Sequence, residues 1–398
     1  MPAPPLSVVL SLGNGSYQAQ LPQALIERGA LRRLLKFQPD LEIFEPNGHG
    51  GLQSVKRYNF NSARQTSWAL WTRMPGKKHS RLPVVANAWF ADRSASRWAT
   101  SGNIFHAWTG MCLASLKAAG KKGVATLVEH PMLHPRSWQR EVLAECDRFG
   151  IKLAECPVVL PQRLIDRIER EFAECDAIAV LSKNARRSFE SFPYASKVRV
   201  IAPGVDEKLF SPRVEPSKDS TFRVCYVGRI EVAKGIVYLL QAWKKLALAH
   251  AELVLVGDFH PEMKALMRDN AAQNVRLLGR LPSHEVAAIY RQSSLFVFPS
   301  VNEGFGMVIL EAMASGLAVI AAKGTGADDC VTHGSNGLIV PSRDSGALAD
   351  SLQWCYDHPQ DAQALGQAAR ATIESAFTRS HYNRRIIELY SSLLPPTR

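Results

Sequence analysis

The chain has 398 residues, 46% of them hydrophobic and 21% charged. That is enough for two domains with separate cores, and the mixture excludes a disordered or fibrous protein. The net charge of +12 lies entirely in residues 1–200, where 28 lysines and arginines face 16 acids, and the rest of the chain balances at 20 against 20. Seven cysteines (112, 146, 156, 175, 225, 330, 355), never spaced C-x-x-C, give no support to a disulfide framework or a zinc site and read as reduced cytosolic thiols.

Met1-Pro2-Ala3-Pro4-Pro5 lacks the basic start of a secretion signal, so none is expected. Residues 6–10 read as a strand, followed by the glycine-rich turn Leu12-Gly13-Asn14-Gly15-Ser16 and a helix. The turn falls short of a full G-x-G-x-x-G, so a phosphate-facing loop and an ordinary turn both stay open. Residues 44–81 have weak periodicity and fit one or two amphipathic helices. Within 51–100 nine basic residues meet one acid, Asp92, alongside Trp68, Trp71, Trp89 and Trp98. Basic residues among tryptophans suit an anionic surface (lipid headgroups, a diphosphate-bearing acceptor or nucleic acid), and a solvated face over buried tryptophans suits them equally.

Residues 84–87, 123–128, 177–181 and 198–201 read as further strands of the first half, and His106, in Ile104-Phe105-His106-Ala107-Trp108, follows another strand candidate. His130 follows the 123–128 strand in Val128-Glu129-His130-Pro131, and His134 stands beside Pro135. A lone histidine is more often structural than catalytic. Pro203-Gly204 and the polar run 211–220 mark a boundary, giving domains at 1–203 and 204–377. In the second half the strands are 222–227, 253–256, 275–278, 295–298, 317–321 and 337–340, with helices at 236–249, 262–272 and 283–292. Residues 361–394 read as two helices, the last of which (about 378–398) is expected to pack back on the first domain. The apolar stretch 306–322 holds Glu311 and Gly316, which favour a helix and then a buried strand over a membrane span. Alternating β and α segments predict an α/β protein of two Rossmann-like, doubly wound parallel-sheet domains facing a cleft, with ligands at the carboxyl ends of the strands.

The candidate chemistry gathers at two turns of the second half. Gly228-Arg229 follows a strand and Lys234-Gly235 opens a helix, so both cations stand near a helix's positive end, where a diphosphate is favoured. Further on, Asn302-Glu303-Gly304-Phe305-Gly306-Met307 lies between a buried strand and a helix. Its glycines allow close approach of a ligand, Glu303 sits at the mouth, and Glu311 lies about two helical turns along.

Together with Leu255-Val256-Gly257, Leu278-Gly279-Arg280-Leu281, Pro299-Ser300, Glu311-Ala312-Met313-Ala314-Ser315-Gly316 and Asn336-Gly337-Leu338, these motifs resemble, in order and spacing, the donor half of glycosyltransferase family 4. Pro203-Gly204-Val205-Asp206 with Phe210 and Pro212 is similar to the family's interdomain segment. The resemblance is close over 200–345 and looser before it. It implies a GT-B fold and a retaining hexosyltransferase using a nucleotide-diphosphate sugar as co-substrate. Arg229 and Lys234 would bind the diphosphate, joined across the cleft by Gly15, so that no metal or other cofactor is needed. Glu303 would hold the transferred sugar with Gly304 and the amides of Phe305 and Gly306; Glu311 would accept from the ribose, and the backbone at Arg280 and Leu281 would meet the base. A family histidine near the reacting centre corresponds best to His130, with His106 the alternative, and Glu129 is not required as a base. Where the family commonly has a glutamate, Gly326-Ala327-Asp328-Asp329 offers the shorter Asp329, which puts a base-side or helix-terminus contact in doubt.

The expected partners are a nucleotide sugar and an anionic or lipid-linked acceptor, such as a cell-envelope or exopolysaccharide precursor. Peripheral contact with an anionic membrane at its cytosolic face is expected, and nucleic acid is not. The rivals are a sugar-nucleotide epimerase or hydrolase of the same fold, and a non-catalytic binder of anionic ligands.

Overall fold

The computed structural model describes residues 5–12, 16–37, 41–58, 82–152, 156, 159–214, 220–246 and 248–395. Fourteen strands among them form two sheets. The first contains β1 (Val8–Leu12), β2 (Leu31–Phe37), β3 (Leu41–Pro46), β4 (Leu52–Tyr58), β5 (Ile104–Trp108), β6 (Ala125–His130), β7 (Ala177–Val180) and β8 (Val198–Val200). Its order is β4-β3-β2-β1-β5-β6-β7-β8. The second contains β9 (Phe222–Val227), β10 (Ala251–Val256), β11 (Val275–Leu277), β12 (Leu295–Phe298), β13 (Ala318–Ala322) and β14 (Leu338–Val340), ordered β11-β10-β9-β12-β13-β14 and parallel throughout.

Reversal of strand order between β9 and β12 opens a crevice at their carboxyl ends, and the same happens between β1 and β5. Of the strands that flank the crevice in the second sheet, β12 is buried throughout and β9 over its last four residues, because helices cover both faces. This is the GT-B architecture, two α/β domains around a cleft.

Three features depart from the expectations. The first sheet is mixed: β3 pairs antiparallel with β2, and β4 antiparallel with β3. The connections there are too short for a helical crossover, so the chain must fold back on itself. Residues 44–46 and 52–58 are therefore strand, joined by a turn, where amphipathic helices were expected, and residues 59–81, with Trp68 and Trp71, lie outside the described residues. The expected strand at 84–87 lies inside the helix Leu82–Ala95. A pair of valines suggested a strand, but proline in the first turn and alanines at 86, 88 and 91 suit a helix.

Residues 361–394 do form two helices, within Pro359–Ala376 and Arg379–Leu393. Between them Thr378 pairs with Val205. The last helix is seated on the first domain through Tyr382, whose hydroxyl donates to Glu129 at 3.0 Å, and Tyr390, whose hydroxyl lies 2.7 Å from His106 Nδ1. Among the described residues no helix is long and apolar enough to cross a membrane.

Candidate active site

The turns after β9 and β12 are built against each other. Gly235, with φ of +67°, closes the first turn, and a Cβ there would come within 2.0 Å of the Pro299 carbonyl oxygen of the second. The Val301 amide donates to the Ala233 carbonyl at 3.1 Å, and Ser300 Oγ reaches the same oxygen at 3.4 Å. Lys234 is thereby held beside Glu303, with Nζ 2.5 Å from Oε2. Arg229 is 44% exposed and points a guanidinium nitrogen at Glu231 Oε1 from 3.1 Å, while Lys234 Nζ lies 4.0 Å from that oxygen. Two cations and one exchangeable acid thus line the turn over a second, buried acid.

Glu231, on the same turn, is a residue that sequence reasoning missed. Its side chain is 1% exposed. A carboxylate is tolerated at that depth only when cations share it. The signal was an acid between an Arg and a Lys in one short turn. Behind it His260 places Nε2 3.9 Å from Glu231 and Nδ1 3.5 Å from Glu262, whose carboxyl burial pushes up to about 7.

Glu311 projects from the helix Met307–Ala314 and accepts from the Tyr290 hydroxyl at 3.4 Å. Burial pushes its carboxyl up to about 7, against the opposing pull of Tyr290 and Arg379. Phe305 is core, 1% exposed, so only its backbone is available to a ligand. Gly306 is the N-cap of this helix, with φ of +91°, and being a glycine it offers the first amides no side-chain acceptor. Arg280 is 82% exposed with Asp258 3.8 Å away, and the preceding Gly279 is fixed by a hydrogen bond from the Gly257 amide. Leu281 is partly buried. Gly15 lies outside the described residues.

The first domain meets this site at Gly304, where a Cβ would lie 2.0 Å from the Pro131 carbonyl oxygen. Ser182 Oγ donates to the Gly304 carbonyl at 2.5 Å, and Asn302 Nδ2 to the Trp138 carbonyl at 2.8 Å. His130 shapes this contact. Its Nε2 engages the Leu133 carbonyl at 2.9 Å, and its ring packs edge-on to Phe172 and Phe189. Burial lowers its pKa to about 4, so it is a neutral histidine holding the Pro131–Leu133 loop from within. His134 is likewise sunk, stacked on Phe192 and lowered to about 3 by burial.

His106 and Glu129 do not stand in the open cleft. Both are completely buried, 3.1 Å apart, and Glu129 also accepts from Gln18 and Tyr382. Their work is to seat the last helix. Asp329 faces the first domain: it accepts from the Lys183 amide at 2.7 Å. Among the described residues no group of three or more His, Cys, Asp or Glu side chains could hold a metal ion.

Residues 221–358 match the family described as Glycosyl transferases group 1. The D-inositol 3-phosphate glycosyltransferase of Corynebacterium urealyticum is 26% identical over 59% of this chain and 59% of its own. The D-rhamnosyltransferase WbpZ of Pseudomonas aeruginosa is 31% identical over 46% of this chain and 51% of its own. The chain thus spans about half to three-fifths of the curated relatives it matches. Over nearly its whole length the structure resembles sucrose-phosphate synthase from Thermosynechococcus elongatus, with a TM-score of 0.72 at 20% identity, covering 98% of this chain and 99% of that one. Anabaena HepE in complex with UDP and glucose superposes with a TM-score of 0.64 at 18% identity, covering 97% and 100%. The fold is therefore GT-B, and its second domain carries the glycosyl transferases group 1 match.

Proposed function

We propose that the chain is a retaining, metal-independent glycosyltransferase of family 4, moving a hexosyl unit from a nucleotide-diphosphate sugar to an acceptor. One observation carries this: the Lys234–Glu303 contact at the switch point between β9 and β12, with Arg229 on the same turn. Charge accumulates on the leaving diphosphate during transfer, and fixed cations beside it lower the barrier. Arg229 and Lys234 supply them, and we assign Gly15 to the same phosphates. Glu303, Gly304 and the amides of Phe305 and Gly306 hold the sugar, Glu311 accepts from the ribose hydroxyls, and backbone at Arg280 and Leu281 meets the base. His130 acts at the reacting centre through the loop it supports. The leaving phosphate takes the acceptor's proton, so Glu129 has no part as a base.

The names of similar proteins, which include an amylovoran biosynthesis glycosyltransferase of Erwinia amylovora, support a glycan acceptor. We assign a lipid-linked or cell-envelope precursor at the cytosolic membrane face. The first domain supports this with an outer strand, β4, whose Lys56 and Arg57 are exposed, and with Phe90, which is 61% exposed on the helix Leu82–Ala95. Arg33 stacks over Trp98 at 4.6 Å in the same region. Binding that is equal on neutral and anionic vesicles at low salt would remove the membrane assignment.

The decisive test is incubation of the chain with a panel of nucleotide sugars and lipid-extract acceptors, read by mass spectrometry. Acceptor-dependent release of nucleoside diphosphate is expected. Equal turnover without acceptor would establish an epimerase or hydrolase instead, and salt-sensitive anion binding without turnover a binding protein.

A further inference from the structure

The helix Pro135–Arg148 belongs to the first domain, yet its contacts reach both turns of the donor site in the second. Near its start the Trp138 carbonyl accepts from Asn302, the residue next to Glu303. Near its end stands Glu145, whose side chain is 0% exposed. Glu145 Oε2 accepts from the Tyr238 hydroxyl at 2.9 Å, and Tyr238 lies in the first turn of the helix that follows Lys234-Gly235. Glu145 Oε1 accepts from Arg343 Nε at 2.5 Å, and Arg343 comes from the loop after β14. Arg343 also donates to Glu141 Oε2 at 3.0 Å, and Arg148 stands 3.6 Å from Glu145 on the same helix.

A buried carboxylate needs donors, but three cationic or hydroxyl partners drawn from both domains exceed what packing asks of a surface helix. Arg343 is held with φ at 66°, in the left-handed region that a side chain of its size seldom occupies, and surrounding contacts have to maintain that conformation. The result is one rigid element of the first domain touching the Lys234 side of the site at Tyr238 and the Glu303 side at Asn302.

We propose that Glu145 is a positioning residue for the donor site: through Tyr238 and Arg343 it fixes the phosphate turn against the sugar turn, from the opposite domain. The role deepens the function proposed above and depends on Lys234 meeting a diphosphate. Docking of the helix Pro135–Arg148 at both ends adds, from the first domain, to the direct contacts between the two turns that set Lys234 relative to Glu303. A loosened Glu145 lets the turn 228–235 relax, so diphosphate affinity falls and transfer falls further, because the geometry between phosphate and sugar is lost.

The test uses the full chain with UDP and GDP as probes in isothermal titration calorimetry, and hydrogen exchange of the amides at 232–238. Tyr238→Phe removes one hydroxyl at constant shape, Glu145→Gln removes the charge, and Arg343→Lys keeps the charge without the paired donors. The nucleotide bound by wild type should bind roughly tenfold more weakly to Glu145→Gln and roughly threefold more weakly to Tyr238→Phe. Exchange at 232–238 should rise in both, and Arg343→Lys should fall between wild type and Glu145→Gln. Where Glu145→Gln fails to fold, Tyr238→Phe decides. Wild-type nucleotide affinity and exchange in a folded Tyr238→Phe protein, with only the melting temperature lowered, would reduce Glu145 to a structural contact and overturn the proposal. A wild-type chain that binds neither nucleotide would overturn the donor site itself, and the positioning role with it.

Discussion

Lys234 Nζ and Glu303 Oε2 lie 2.5 Å apart, with the two side chains 13% and 21% exposed, so the cation expected at the phosphate and the acid expected at the sugar satisfy each other. A diphosphate reaching Lys234 must compete with Glu303, whereas a nucleotide sugar gives Glu303 hydroxyls in exchange. Glu303→Gln should therefore bind free UDP or GDP roughly threefold to tenfold more tightly than wild type while losing about 100-fold in transfer. Lys234→Ala should weaken the same nucleotide by about 1.5–3 kcal/mol. Titration calorimetry with a transfer assay separates the two, and weaker nucleotide binding by Glu303→Gln would contradict the competition.

Glu129 and His106 were legible as polar residues of the first half, but not as partners of Tyr382 and Tyr390, 253 and 284 residues further on. Removing the Glu129 carboxylate leaves His106, Gln18 and Tyr382 buried without it, which should cost roughly 3–5 kcal/mol. Glu129→Gln, which keeps an acceptor, should lower the melting temperature while the folded protein retains its rate of transfer. A catalytic base would show the reverse: normal stability and a collapsed rate.

What the sequence disclosed follows from how local each signal is. The second domain was readable because several of its strands, such as β12 and β13, are continuous apolar runs between turns whose glycines and charges are adjacent in the chain. Arg229, Lys234 and Glu303 could thus be placed at strand ends before any contact was known. The hairpin strands β3 and β4 were hidden because they lie toward a sheet edge and carry Glu42, Glu45, Lys56 and Arg57, which blur the alternation. The Val84-Val85 pair misled for the opposite reason: a local β preference was overridden by a helical neighbourhood. Glu231, Glu145 and Arg343 escaped because their meaning lies in burial and in partners from other elements. No spacing reports that.

The Glu311 carboxyl gives the site a pH dependence with a definite sign. Its folded pKa is raised to about 7 by burial, so between the ordinary carboxylate range and 7 the folded chain holds a proton that the unfolded chain has lost. Stability from this group is therefore present at low pH and lost as pH rises through that window. Glu311→Gln should match wild type in melting temperature at pH 5 and exceed it at pH 8; Glu171 and Glu262, whose carboxyls burial also pushes up to about 7, remain in both proteins and cancel. Ribose hydroxyls favour the ionised form, so nucleotide affinity should run the other way, about tenfold weaker at pH 6 than at pH 8 in wild type after subtracting the dependence seen in Glu311→Gln. Parallel pH profiles in the two proteins would remove Glu311 from the ribose site.

Gly304 tests whether the approach of the two domains matters for chemistry apart from donor binding. A Cβ at this position would lie 2.0 Å from the Pro131 carbonyl oxygen and 2.7 Å from Met132 Cα, both backbone atoms of the first domain that cannot rotate away. Gly304→Ala therefore has to push the Pro131–Leu133 loop, and His130 behind it, off the sugar turn. Arg229 and Lys234 belong to a different turn and Glu311 to the following helix, so the phosphate and ribose contacts proposed for them should survive. The expected outcome is nucleoside diphosphate affinity within about threefold of wild type, with transfer reduced by about 100-fold or more. Full transfer by Gly304→Ala would show that this approach is dispensable, and equal loss of nucleotide binding would show that the two domains bind the phosphate together.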